Sequence, residues 1–310
     1  MRRKLASPLP QRFGLDAARL RLPADGEWAT IRDHLVDRLP RVDPARIDAM
    51  LHAGEIVGLD GPIAPDAPFA PEMFLWLHRD LPDEVDVPFE IGIVHRDEHL
   101  VVVDKPHFLS TIPRGRHVRQ TALVRLREQL GLPELSPAHR LDRVTAGLLI
   151  FVINRANRGR YQTLFRDQKV RKTYEAIAPV RDDLELPTVV QSRIIKERGV
   201  IAAYQVAGEP NATTHVELAE RRGELGRYRL RPVTGRTHQL RLHMNTLGVP
   251  ILGDTFYPVL TDTPLDDFRR PLQLLAKTLE FTDPITREPR RFVSPSELQA
   301  WTDYPEWVAG

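Results

Sequence analysis

The sequence predicts an α+β fold: a largely antiparallel mixed sheet preceded by a small α/β module. Three observations lead there. From residue 88 onward strand-like runs outnumber helical ones. Their order lacks the regular βαβ alternation of a parallel sheet. Residues 28–87 differ in composition from the rest of the chain and carry two short helical patterns, Ile31, Leu35, Leu39 and then Ile47, Met50, Leu51.

Taken in order, residues 1–27 are rich in Pro, Arg and Ala without periodicity and are expected as a loosely ordered lead-in. Residues 28–87 form the module, with a turn at Asp60-Gly61 and a Pro-bearing connection over 81–88; residues 88–310 form the main domain. There, 91–95 and 100–104 read as a hairpin. Thr121 caps a helix over 122–130 that Gly131 stops. Residues 148–153 are a buried strand, 155–168 an arginine-faced helix and 173–180 a strand. Three further strands are expected at 189–195, 212–218 and 228–233, then a helix over 238–247 closed by Gly248.

The chain has 310 residues, no cysteine and a formal net charge of +2. Disulfides, thiolate nucleophiles, zinc ribbons and iron–sulfur clusters are thereby excluded, and an intracellular, cytoplasmic protein is expected. The most apolar run, 148–153, is strand-sized, so no membrane span is expected. The charge is unevenly placed. Between Trp28 and Val85 eleven acids face five arginines, so the rest of the chain is clearly basic, and arginine dominates the surplus. A planar guanidinium suits phosphates and stacked bases, which makes a polyanion, RNA or DNA, the expected partner.

Three motifs carry residue types suited to chemistry. In His139-Arg140-Leu141-Asp142-Arg143-Val144-Thr145-Ala146-Gly147, a carboxylate flanked by two arginines enters a core strand, where neighbouring cations hold it ionised. Alone, such an aspartate is more readily an ordinary structural ion pair. In Lys172-Thr173-Tyr174 the strand period puts Lys172 and Tyr174 on one face, where the tyrosine can stack on a base. The third runs Thr234-Gly235-Arg236-Thr237-His238-Gln239-Leu240-Arg241-Leu242-His243 and ends at Pro250-Ile251-Leu252-Gly253-Asp254. Its glycine permits a turn into a helix whose first N–H groups form an anion site. The spacing of His238 and His243 does not suit zinc, and no phosphate loop or dinucleotide fingerprint is present.

H-R-L-D-R-x-T-x-G, then K-x-Y, then G-R-T-H-Q-L-R-x-H with P-I-L-G-D, in this order and spacing, resembles the RluA family of pseudouridine synthases. The resemblance covers roughly residues 88–294; residues 28–87 are more loosely similar to a small RNA-binding module of ribosomal proteins, here divergent and acidic. It implies the pseudouridine synthase fold and the isomerisation of uridine in structured ribosomal or transfer RNA, with no cofactor and no metal, by a chain expected to be a monomer. It implies Asp142 as the catalytic aspartate, Tyr174 against the target base, Arg241 as the ion-pair partner of Asp142, and Arg140 as the residue replacing the flipped nucleotide. Arg143, Lys172, Arg236, His238, Gln239 and Leu240 complete the expected substrate-contacting set, with Leu240 or Leu275 as the apolar wall. A non-catalytic RNA-binding protein that keeps the fold is the alternative. The chain departs from the family pattern at Ala146, where serine is frequent, at Leu274-Leu275-Ala276, where L-H-A is frequent, and at Phe256-Tyr257-Pro258.

Overall fold

The computed structural model describes residues 5–309 and divides the chain into two compact units, Met1–Asp83 and Glu84–Gly310. In the first unit, β1 (Ala18–Arg21) pairs antiparallel with β2 (Phe74–Leu77), and α1 (Ile31–Arg38) and α2 (Pro44–His52) lie between them in the chain. Thr30 and Asp33 close a capping box at the start of α1, while Asp43 caps α2 ahead of Pro44. Leu22, Ile31, Leu35, Ile47, Leu51 and Leu75 form the core of the unit. The stretch expected as a loose lead-in therefore supplies a strand. Ala18–Arg21 is too short for its alternation to register until β2, more than fifty residues later, is present to pair with it. Arg32 pairs with Asp48, and Arg46 with Asp80 and Glu55, so these arginines are neutralised inside the unit.

Residues 84–87, expected with the module, belong to the second unit. The Glu84 carboxylate accepts the backbone N–H groups of Val118, Arg119 and Gln120, and Gln120 accepts that of Val87. The strands of this unit are β3 (Gly92–Arg96), β4 (Leu100–Lys105), β5 (Ser136–Pro137), β6 (Ala146–Val152), β7 (Arg171–Pro179), β8 (Thr188–Ile195), β9 (Tyr204–Val206), β10 (Ala212–Arg222), β11 (Leu225–Pro232), β12 (Leu274–Thr282) and β13 (Pro289–Val293). Its helices are α3 (Ala122–Leu130), α4 (Arg158–Arg166), α5 (Gln239–Thr246), α6 (Gln299–Thr302) and α7 (Tyr304–Ala309). Among the described residues the strands form one sheet in the order β3-β4-β6-β12-β7-β11-β10-β8-β9, with β13 on β12 and β5 on β6. Every pairing in it is antiparallel except β6 with β12.

Strand alternation decides what covers each face. Val101, Val103, Leu149 and Phe151 pack on α3 through Leu123 and Leu126, whereas Leu100, Val102, Leu148 and Ile150 pack with Tyr161 of α4 on the other side. Further along, Ala176, Tyr228 and Leu230 meet Leu240 and Met244 of α5. Ile177, Leu275 and Ala146 meet Trp301 and Trp307 of the two terminal helices. Strand β12 lies at the centre of the sheet, yet its sequence shows no clean alternation: it is buried on both faces near its start, and its pairing with β7 shifts register between Ala276 and Thr278.

One cross-sheet row positions the site. Gly147, Ala276, Tyr174 and Leu230 are successive partners across β6, β12, β7 and β11. Gly147 has φ +107°, and a Cβ there would lie 2.4 Å from the Ala276 carbonyl oxygen, so only glycine lets β6 approach β12 this closely. The loop before β6 carries Asp142.

Candidate active site

The Asp142 loop is held by its neighbours. Thr111 Oγ1 donates to the Leu141 carbonyl (2.8 Å) and accepts from its N–H (3.1 Å). The Thr145 N–H returns to the Asp142 carbonyl. Lys105 Nζ donates to the carbonyls of Pro106, Leu109 and Arg143. The Asp142 carboxylate itself, half-buried, makes no ion pair within 4.0 Å and no side-chain hydrogen bond among the described residues.

This corrects the expected pairings. Neither Arg140 nor Arg143 closes on Asp142: Arg140 is exposed, and Arg143 donates to the Phe108 carbonyl and lies over the Phe108 ring. Arg241, expected as the partner of Asp142, instead forms a two-pronged pair with Asp254, Nε and Nη2 at 2.7 and 2.6 Å from the two carboxylate oxygens. Both side chains are almost fully buried, and a guanidinium so desolvated requires a whole carboxylate. Asp254 also accepts the N–H groups of Phe256 and Tyr257, and both rings lie over the Arg241 guanidinium. The sequence signal for this box was the aspartate that closes P-I-L-G-D.

The site is a slot opening into a trough. The slot, a cavity of about 110 Å³, is walled by Asp142, Tyr174, Arg241, Lys172, His238 and Leu240, among others. Arg140, Arg236 and Gln239 also border it, whereas Arg143 lines only the trough, a cavity of about 720 Å³. Leu275 points away, packed against Ala146 and the two tryptophans; Leu274, its neighbour on the strand, supplies the slot's apolar wall beside Leu240. Gln239 is buried and its amide is committed to the loop. It accepts from Thr234 Oγ1 and the Arg236 N–H and donates to Thr213 and Thr214. It positions Arg236 rather than presenting itself to a ligand. His238 starts α5 in a left-handed conformation, φ 56°, with Nδ1 2.9 Å from the Tyr257 hydroxyl. The Gln239 N–H is taken by the Arg236 carbonyl and the Arg236 N–H by the Gln239 side chain, so part of the turn expected to meet an anion is already satisfied. His243 lies buried between Ser192 and Thr214, and burial pushes it down to about 4.

Of the cations lining the trough, Arg114, Arg140, Arg143, Lys172 and Arg236 have no carboxylate within 4.0 Å among the described residues, whereas Arg166 pairs with Asp167. Burial pushes Lys172, whose ammonium donates to the Thr234 carbonyl, down to about 8. Burial, with the nearby Asp142 charge, pushes the Tyr174 hydroxyl up, so the ring stays neutral. Burial also lowers His238, with the Asp142 charge opposing it.

Lys105 is fully buried, and burial pushes it down to about 7 against the attraction of Asp142. Above that pH the fold sheds a proton that the unfolded chain retains up to the ordinary lysine range, so this group makes stability rise with pH across the window. In urea titrations at about pH 7 and about pH 9, the wild type is expected to gain stability relative to Lys105→Met as pH rises. A difference independent of pH would show Lys105 to be fully charged at neutrality.

A family model described as RNA pseudouridylate synthase matches residues 99–246. The dual-specificity RNA pseudouridine synthase RluA of Pasteurella multocida is 36% identical over 220 residues, covering 66% of this chain and 93% of that protein. Its counterpart in Haemophilus influenzae is 35% identical over 233 residues, covering 69% and 98%. The chain belongs to the RluA family of pseudouridine synthases. Members of this family isomerise uridine to pseudouridine in RNA, and this chain is accordingly an RNA-modifying isomerase. The solved structure of human RNA pseudouridylate synthase domain containing 4 is similar at 25% identity with a TM-score of 0.53, covering 70% of this chain and 90% of that one. The mixed, mainly antiparallel sheet expected from the sequence is thus the fold of pseudouridine synthases.

Proposed function

We propose that Asp142 is the carboxylate that acts on the ribose of a uridine flipped out of structured ribosomal or transfer RNA. It works either as nucleophile at C1′ or by taking the C2′ proton to give a glycal, and in both routes the N1–C1′ bond breaks and uracil leaves as its anion. Uracil then turns and C5 bonds to C1′, displacing the Asp142 ester or with the proton returned to C2′; C5 loses its proton and N1 takes one up. The observation that carries this reading is an unpaired carboxylate in a slot whose charged neighbours are otherwise cations. A half-buried carboxylate that serves no contact of the fold is free to meet a reacting group.

The other residues follow from their places. Tyr174 packs against the uracil, Leu240 and Leu274 close the slot while the base is detached, and Arg140, exposed at the mouth, fills the gap left in the stack. Flipping costs a few kcal/mol. The unneutralised cations of the trough offset that cost by holding phosphates. Arg241 acts as a positioning residue that fixes the slot wall through Asp254. The first unit, whose Arg32 and Arg46 are internally paired, serves packing or protein contact rather than RNA grip. The enzyme works in the cytoplasm, as a monomer and without a cofactor. A purely RNA-binding role gives no reason for keeping Asp142 unpaired.

Purified protein is expected to release tritium from RNA labelled at uracil C5, and mapping pseudouridine in a strain lacking the gene identifies the site. No release from any cellular RNA pool would overturn the proposal. Arg114→Ala and Arg236→Ala, both in the trough, should each weaken RNA binding and reduce the slope of log affinity against log salt by about 0.7–0.9. An unchanged slope would remove that residue from the phosphate track.

A further inference from the structure

We infer that the trough holds a second, unflipped nucleotide next to the target, its base stacked on Phe165 and its edge read by Gln168. This rests on the reading of the slot as the target-uridine site and extends it to the flanking sequence. The slot contains neither residue; both line only the trough, which is several times larger and shares the Asp142 and Tyr174 wall. RNA that runs from the slot along this wall of the trough passes them.

Phe165, half-buried on α4, lies flat on His139, with centroids 4.2 Å apart and planes 18° apart. His139 is a fixed, uncharged support: its Nε2 accepts the Ile150 N–H, and burial, with Lys172 nearby, pushes it down to about 3. The pair is thus a rigid aromatic step at the trough wall, the kind of surface on which bases stack. Gln168, just beyond the end of α4, has φ 57°. Glycine is the usual occupant of that left-handed position, and a side chain there carries a conformational cost. The Gln168 side-chain amide nevertheless makes no hydrogen bond among the described residues and is exposed. An unused amide, offering one donor group and one acceptor, suits a base edge. Arg114, Lys172 and Arg236 line the same cavity without a carboxylate within 4.0 Å among the described residues, and they supply cations for the phosphates on either side of that nucleotide.

The test uses the hairpin surrounding the uridine that the wild type modifies in cellular RNA, remade with one abasic residue at a time on each side of the target. Wild type should show one flanking position whose base loss lowers kcat/KM about tenfold or more, the scale of a lost base–aromatic stack. Phe165→Leu, which keeps the apolar packing, should lower kcat/KM on the intact hairpin by a similar factor and be insensitive to base loss at that same position. Gln168→Ala, at an exposed site, should fold normally and flatten the preference among the four bases there. The inference is overturned if Phe165→Leu retains the full abasic penalty, or if no flanking position matters to the wild type. Failure of wild type to modify any RNA would instead defeat the assignment of the slot itself.

Discussion

Asp142→Asn is expected to lower turnover by at least about 10²–10⁴-fold, the range spanned by loss of one acid–base group, while leaving melting behaviour unchanged. The structural ground for the second half is specific. The carboxylate has no ion pair and no side-chain hydrogen bond among the described residues, so the isosteric amide breaks nothing. What holds the loop are backbone groups of Leu141, Asp142 and Arg143, gripped by Thr111, Thr145 and Lys105. Substitutions away from such features usually change stability by less than about 0.5 kcal/mol. The checks are tritium release, thermal unfolding and RNA affinity on the same preparation. Retained turnover would remove Asp142 from the chemistry; lost stability would mean that the carboxylate has a structural partner after all.

Arg241→Ala should have the opposite profile, losing stability and activity together. It strands Asp254, 1% exposed, as a buried carboxylate without its counter-charge. Breaking a pair of this kind costs about 3–5 kcal/mol. Phe256 and Tyr257 would also lose the cation beneath their rings. Arg241→Lys cannot restore the two-pronged geometry and should recover only part of the loss. The double variant Arg241→Met with Asp254→Leu removes both charges at once, so urea titration should show it more stable than Arg241→Ala, while its turnover stays low because the slot wall is altered. A loss below about 1 kcal/mol in Arg241→Ala would argue against a buried pair.

Much of the site was readable because its parts are local. The helix over 122–130, with Thr121 as cap and Gly131 at φ 63°, follows from capping chemistry within a dozen residues. Asp142, Tyr174 and the loop from Thr234 to Arg241 were each visible in a short motif, and the fold brings them to one slot. The pairings were not visible. Arg241 chose Asp254 over Asp142 because the guanidinium is buried beside the turn that ends P-I-L-G-D, and burial is a property of the packed chain. Gln239 looked available to a substrate because nothing local reveals that Thr213 and Thr214, on β10, take its amide. The alternation that would announce β12 is erased by burial on both faces and by its register shift.

Fold class and motif order follow from local periodicity, turn chemistry and spacing, which the chain carries before it folds. The resemblance to the RluA family singled out the residues of the site, Asp142 first among them. That Asp142 stands unpaired, that Arg241 serves Asp254 and that Leu274 rather than Leu275 faces the slot emerges in the folded chain alone. The reason is physical: which charges meet and which strand face is buried depend on contacts between residues remote in sequence, and desolvation then sets the partner each buried charge requires.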